Sequence, residues 1–275
     1  MMLGFFMILV DSTIVSVAIP AITAGLGASY SSVIWVNSAY LLAYAVPLLI
    51  TGRLGDRFGP RALYISGLAL FTLSSLACGL AGTIEALIVA RVFQGLGGAM
   101  VTPQTMAVMI RTFSPRERGS AMGVWGATAG VATIVGPLLG GLLVDASGWP
   151  WIFFVNVPIG VIGLVLAWIY VPRLELTSRS LDWLGVVLSA AGMFCLILGI
   201  QEGERFDWDW RALGLIAGGL VLLGTFVAWQ SRTRRDALVP LALFADRNFS
   251  LSAVTIATVG FTVSTYMIPV SYTHL

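Results

Sequence analysis

Two charged residues stand where charge is costly. Asp11 lies near the middle of an apolar run, Leu9-Val10-Asp11-Ser12-Thr13-Ile14-Val15. An aspartate at the centre of a membrane helix costs about 2.5–3.5 kcal/mol on insertion scales. Such a residue needs a basic partner, a wet cavity or a proton, so Asp11 is a candidate proton carrier. The obvious counter-charge is Arg91, early in another apolar run. On a helix Arg91, Gln94, Gly98 and Thr102 share one face at steps of three and four, and that face would line a cavity. The alternative is that Arg91 anchors the outer end of its helix and snorkels to the surface. Gln104, Asn37, Tyr40, Tyr44 and Trp125 are the other polar or amphipathic groups expected at a substrate cavity, the aromatics having ordinary packing as their alternative. Asn156, in a further apolar run, is a buried amide that requires a partner.

The chemistry excluded is equally definite. The sequence has no aspartate-rich or histidine-rich cluster, and no paired acids near one face, as a membrane-bound enzyme would need. No metal site and no cofactor beyond a coupling proton is expected. His274 stands alone, and Cys78 and Cys195 read as small buried hydrophobes. No basic patch interleaves with exposed aromatics, so nucleic acid is not an expected partner.

Two further stretches carry mechanical chemistry. Gly52-Arg53-Leu54-Gly55-Asp56-Arg57-Phe58-Gly59-Pro60-Arg61 reads as a short, charged turn between two apolar runs. Arginines alone would make it an anchor. Gly52, Gly55 and Gly59 suit a loop packed closely on helix ends, with Asp56 accepting from an arginine or a helix N-terminus and Arg57 and Arg61 beside it. Further on, Gly119, Gly123, Gly126 and Gly130 recur at helical spacing, and Gly136-Pro137, Gly140 and Gly141 continue the series. Small residues at this spacing allow close helix approach. Gly130, Gly136, Pro137, Gly140 and Gly141 are expected to form a hinge, kinked at Pro137.

The elements that position these residues follow from composition. Hydrophobic residues make up 58% of the chain and charged residues 10%, with a mean hydropathy of +0.93. Soluble domains carry about 25% charged residues. An all-α polytopic membrane protein is expected, since the apolar runs are too long for barrel strands. Nine spans are read, at about 1–20, 33–53, 62–82, 86–110, 119–144, 151–171, 183–202, 211–230 and 249–270. Arg53, Arg57, Arg61, Arg111, Arg116, Arg118, Arg173, Arg179, Arg232, Arg234, Arg235 and Arg247 fall in alternate connections. The opposite connections hold Arg205 and Arg211 among Glu202, Glu204, Asp207 and Asp209. That asymmetry places the N-terminus in the cytoplasm and Trp149, Trp151, Trp208 and Trp210 at the outer interface.

These motifs together resemble the major facilitator superfamily, and within it the fourteen-span drug:proton antiporters of the EmrB/QacA-like group. Residues 52–61 resemble the superfamily's loop motif between spans two and three, with Pro60 where a basic residue is usual. Leu87 to Gly98 resembles the fourth-span motif, whose arginine is implicated in proton coupling. Gly136-Pro137-Leu138-Leu139-Gly140-Gly141 resembles the antiporter motif of span five, with Ala132 replacing an expected glycine. Leu9 through Pro20, Trp151 through Pro158 and Leu181-Asp182-Trp183-Leu184-Gly185 resemble signatures of the fourteen-span group, although Pro150 stands where an arginine is common.

The resemblance implies a major facilitator fold with an N-terminal six-helix half at 1–172. It further implies a linker with two extra helices at 173–231, and at 232–275 a loop with the first helix of an incomplete second half. The odd span count and the stop directly after the ninth span fit a C-terminally truncated fragment. The implied activity is export of lipophilic compounds, cationic ones included, in exchange for protons by alternating access. A metabolite transporter of the same superfamily, or a transport-inactive fragment, is the alternative. The implied setting is the bacterial inner membrane, with lipid bilayer and a small lipophilic substrate as partners, and a periplasmic adaptor if the host is Gram-negative.

Overall fold

In the computed structural model the chain is all-α among the described residues, which are 1–174, 176, 182–203, 205–233 and 237–259. α1 (Met2–Leu26) is apolar throughout, keeps Pro20 inside it, and ends where Gly27 turns left-handed at φ 59°. α2 (Tyr30–Ala45) starts on Ser29, whose hydroxyl accepts from the Ser32 N–H. α3 (Leu48–Phe58) follows after a 46° bend at Val46-Pro47. α4 (Pro60–Gly79) begins one residue later, and α5 (Ile84–Thr112) begins on a Thr83 cap. α6 (Arg118–Ser147) is the longest. α7 (Trp151–Phe154) and α8 (Asn156–Tyr170) make one interrupted span. α9 (Trp183–Gln201) and α10 (Trp210–Arg232) form a hairpin, and a further helix runs from 247 to 259. By length and apolarity seven helices qualify as membrane spans, or eight with the bent α2–α3 pair counted as one. This is a multi-span membrane protein. The second half of the expected ninth span, and His274, Arg179, Glu204, Arg234 and Arg235, lie outside the described residues.

Two sequence expectations change. The second span is not continuous. Pro47 lacks an N–H, so one i→i−4 bond is lost where the chain bends, although Val46 before it keeps helical angles. Residues 52–58 are not a loop but the end of α3. The turn narrows to Gly59, whose φ of 93° a residue with a Cβ would adopt only under strain. α6 runs through Pro137 without ending, which is compatible with the expected kink. In lipid the neighbouring intrahelical bonds hold the backbone, so one lost bond does not end a helix. Trp149 also departs from the interfacial reading: it is buried against Gly25, whereas Trp151, Trp208 and Trp210 are exposed.

Small residues set the helix crossings. α4 and α5 meet at Gly67 and Gly97, and a Cβ on Gly97 would lie 2.6 Å from the Phe71 nitrogen and 2.8 Å from the Gly67 oxygen. Both are backbone atoms that cannot rotate away. Gly97→Leu should therefore lower stability by at least the ~1–3 kcal/mol of an overpacked core. Thermal unfolding of the full-length protein in detergent reads it, and an unchanged midpoint would refute the crossing. The glycine series on α6 divides. Gly136 packs onto Thr13 and the Val10 carbonyl of α1, and Gly140 onto Ile14. Gly119, Gly123, Gly126, Gly130 and Gly141 meet nothing within 4 Å among the described residues. Close approach holds for part of the series only.

The α9–α10 hairpin is pinned at one end by Asp182. Its carboxylate caps α9 by accepting from the Gly185 N–H at 2.9 Å. It also accepts from Trp229 Nε1 at 3.0 Å and Gln230 Nε2 at 2.7 Å. Arg53 at the end of α3 donates to the carbonyls of Ala237 and Leu238, which ties the segment after α10 to the first bundle.

Candidate functional site

Midway along α1, Asp11 is fully buried, and so is Arg91 of α5. Arg91 Nη1 donates to Asp11 Oδ2 at 2.5 Å. The other carboxylate oxygen accepts from Gln94 Nε2 and from Asn156 Nδ2, both at 2.9 Å. Helical spacing explains the Arg91–Gln94 pair, since residues three apart share a face. Gln94 uses its oxygen to accept from Arg91 Nη1 at 2.7 Å and its nitrogen to donate to Ser75 Oγ at 2.5 Å. Asn156 Nδ2 reaches the same Ser75 oxygen at 3.2 Å. The interruption between α7 and α8 falls beside Asn156, at the first residue of α8.

The guanidinium is held on its other sides as well. Nε donates to the Val36 carbonyl at 3.1 Å. The Tyr40 ring lies 4.0 Å from the guanidinium carbon and the Phe153 ring 5.7 Å. Tyr40 is fixed by donating its hydroxyl to the Ile8 carbonyl. A desolvated cation over an aromatic face gains about 2 kcal/mol. The site is thus a sealed charge pair gathered from α1, α2, α4, α5 and the α7–α8 span. Arg91 Nη2 is the one guanidinium nitrogen with no partner among the described residues. The snorkelling alternative for Arg91 is removed by its burial.

The six expected cavity residues have different surroundings. Gln94 and Tyr40 belong to the charge network and face no open space. Gln104 is a correction: it is buried, donates to the Thr51 carbonyl at 2.9 Å, and packs on Gly55, so it joins α5 to α3. Tyr44 is half-buried and donates to Thr102 Oγ1 at 3.1 Å. Asn37 Oδ1 and Trp125 Nε1 are buried polar atoms without partners among the described residues, and Trp125 stacks on Phe5 with centroids 4.7 Å apart. Those two retain unspent hydrogen-bonding capacity.

The charged stretch holds the same end of the bundle together. Asp56 accepts from Arg111 Nη2 of α5 at 2.7 Å. Each side chain is about a third exposed, so the pair contributes about 0–1 kcal/mol. Gly55 leaves room for Gln104, and Gly52 lies near Pro103. Arg57 stacks on Phe58, while Arg61 donates to the Trp168 carbonyl and stacks on its ring. At the next turn Ser114 donates its N–H and hydroxyl to Glu117, which holds that exposed carboxyl below its usual range.

Ser75 is the site residue that sequence reasoning missed. Nothing in its neighbourhood separates it from Ser66 or Ser74, and only the packing of α4 on α5 brings it to Gln94. Asn156 carried a signal as a buried amide, without indicating Asp11 as its acceptor.

Membership in a family of transporters, and not of enzymes, follows from the proteins this chain resembles. The chain belongs to the Major Facilitator Superfamily, whose family model matches residues 1–182. It is 52% identical over 272 residues to an uncharacterized MFS-type transporter of Mycobacterium tuberculosis, covering 99% of this chain and 47% of that one. It is 38% identical over 256 residues to the multidrug export protein EmrB of Haemophilus influenzae, covering 92% of this chain and 50% of EmrB. The chain therefore spans about half the length of these relatives. The crystal structure of the human organic anion transporter MFSD10 matches its fold at a TM-score of 0.54 and 18% identity, over 71% of this chain and 53% of that one.

Proposed function

We propose that the full-length protein exports lipophilic compounds, cationic ones included, in exchange for protons by alternating access. The observation that carries the reading is the sealed Asp11–Arg91 pair, a titratable acid kept midway along a membrane helix at high cost. Because Asp11 is enclosed, the proton competes here with Arg91 and not with substrate directly. A neutral Asp11 would release Arg91 from its ion pair. The freed cation would then re-pair elsewhere as the two halves rock about the cavity. Inward movement of one proton across about 100 mV supplies roughly 2.3 kcal/mol, and one pH unit adds about 1.36 kcal/mol.

The rest of the reading follows the same logic. Helices α1 to α8 form the first six-span half, α9 and α10 the inserted pair, and the helix from 247 the start of a second half. The arginine asymmetry places the N-terminus in the cytoplasm of a bacterial cell, and in a Gram-negative host a periplasmic adaptor would extend the path. The stretch around Asp56 latches that end, and Gly136 and Gly140 let α6 slide on α1. Multidrug export is the role that gives the EmrB relative its name, and it supports the substrate class. The test is dye efflux from proteoliposomes of full-length protein under an imposed pH gradient. Efflux that follows the gradient and reverses with it is expected. Flux indifferent to the gradient would overturn the coupling, and no flux of any lipophilic dye would overturn the substrate class.

A further inference from the structure

We propose that the outward groove between α4 and α8 binds an anionic phospholipid, with the lipid phosphate held between Arg61 and Arg173. The groove is a cavity of about 570 Å³ at the end of the bundle where α4 begins and α8 stops. Ala62, Ser66 and Ala69 recur at steps of four and three along α4, so its wall recedes there. Trp168 of α8 forms the opposite wall and is 65% exposed, and Phe58 and Leu176 close the end. These walls are apolar and face away from the bundle, as a surface that lies along acyl chains must.

The charge sits at the mouth. Arg61 lies in the first turn of α4, donates one N–H to the Trp168 carbonyl at 2.5 Å and stacks on its ring. That contact fixes the guanidinium and leaves other donors of its fork unspent. Arg173 is exposed and has no hydrogen bond or ion pair to any described residue. Among the described residues no carboxylate lines the groove. The positive end of α4, with Pro60 at its first position, adds to the same potential. Two cations over an apolar channel with an interfacial tryptophan complement a phosphodiester that carries net negative charge. A zwitterionic lipid would bring its own cation against the arginines. Basic clusters at a membrane surface attract anionic lipid by about fivefold per arginine.

The experiment is native mass spectrometry of the full-length protein in mild detergent with equal amounts of phosphatidylglycerol and phosphatidylcholine. Wild type should retain phosphatidylglycerol over phosphatidylcholine by about an order of magnitude. Arg173→Ala should reduce the preference about fivefold, and Arg173→Lys, which keeps the charge, should retain most of it. Excess inorganic phosphate should leave the lipid bound, because the apolar walls hold the chains. Equal retention of the two lipids overturns the proposal. So does an unchanged preference in Arg173→Ala, a lost preference in Arg173→Lys, or full displacement by phosphate, which would assign the site to a soluble anion.

Discussion

Asp11→Asn in the full-length protein is expected to abolish pH-driven efflux and to cost about 3–5 kcal/mol of stability, the usual penalty for stranding one member of a buried ion pair. Asparagine matches aspartate in shape but has one oxygen where the site uses two. Asp11 Oδ2 accepts from Arg91, and Oδ1 accepts from both Gln94 and Asn156. Whichever way the asparagine amide is turned, its NH2 group faces at least one donor. Arg91 meanwhile keeps its charge at 0% exposure, with the Val36 carbonyl, the Gln94 oxygen and two aromatic faces as its remaining company. The variant also has no proton to lose. Two measurements check it: the unfolding midpoint in detergent, and efflux from proteoliposomes with and without a pH gradient. Gradient-driven efflux at the normal rate would remove Asp11 from the coupling.

What the residues alone make legible is whatever carries a large energy. A 20-residue apolar run can only be a span, so each expected span overlaps a helix where residues are described. Asp11 and Arg91 stood out because charge inside lipid requires compensation, and they meet. Direction was harder to read. Gln94 and Gln104 look alike on paper, yet ten residues on a helix of 3.6 per turn leave them about 80° apart. One reaches Asp11 and the other the Thr51 carbonyl. Nothing local specifies which face of α5 meets α1 and which meets α3. The glycines of α6 teach the same point, since spacing marks a smooth face and not what lies against it. Gly136 and Gly140 have α1 there, while Gly123 and Gly126 have open space among the described residues. Val46-Pro47 was a legible breaker hidden by the apolar run on both sides.

Replacing both charges at once separates what the pair does for folding from what it does for transport. Asp11→Leu and Arg91→Met alone should each cost about 3–5 kcal/mol, because each leaves its partner buried and unpaired. Together they should cost less than either, since an apolar pair of similar volume has no desolvation debt. The network's other members tolerate the change. Gln94 Nε2 and Asn156 Nδ2 still reach Ser75 Oγ, and Gln94 Oε1 still accepts from the Cys78 thiol at 3.5 Å. Arg91's contact with Tyr40 is the main loss, at about 2 kcal/mol for a desolvated cation. A stable double variant that no longer exports against a pH gradient would mean the charges are kept for coupling, as proposed. A stable double variant that still exports normally would leave the pair without a part in transport. A double variant as unstable as the sum of the singles would show that the two side chains act independently, which their 2.5 Å contact argues against.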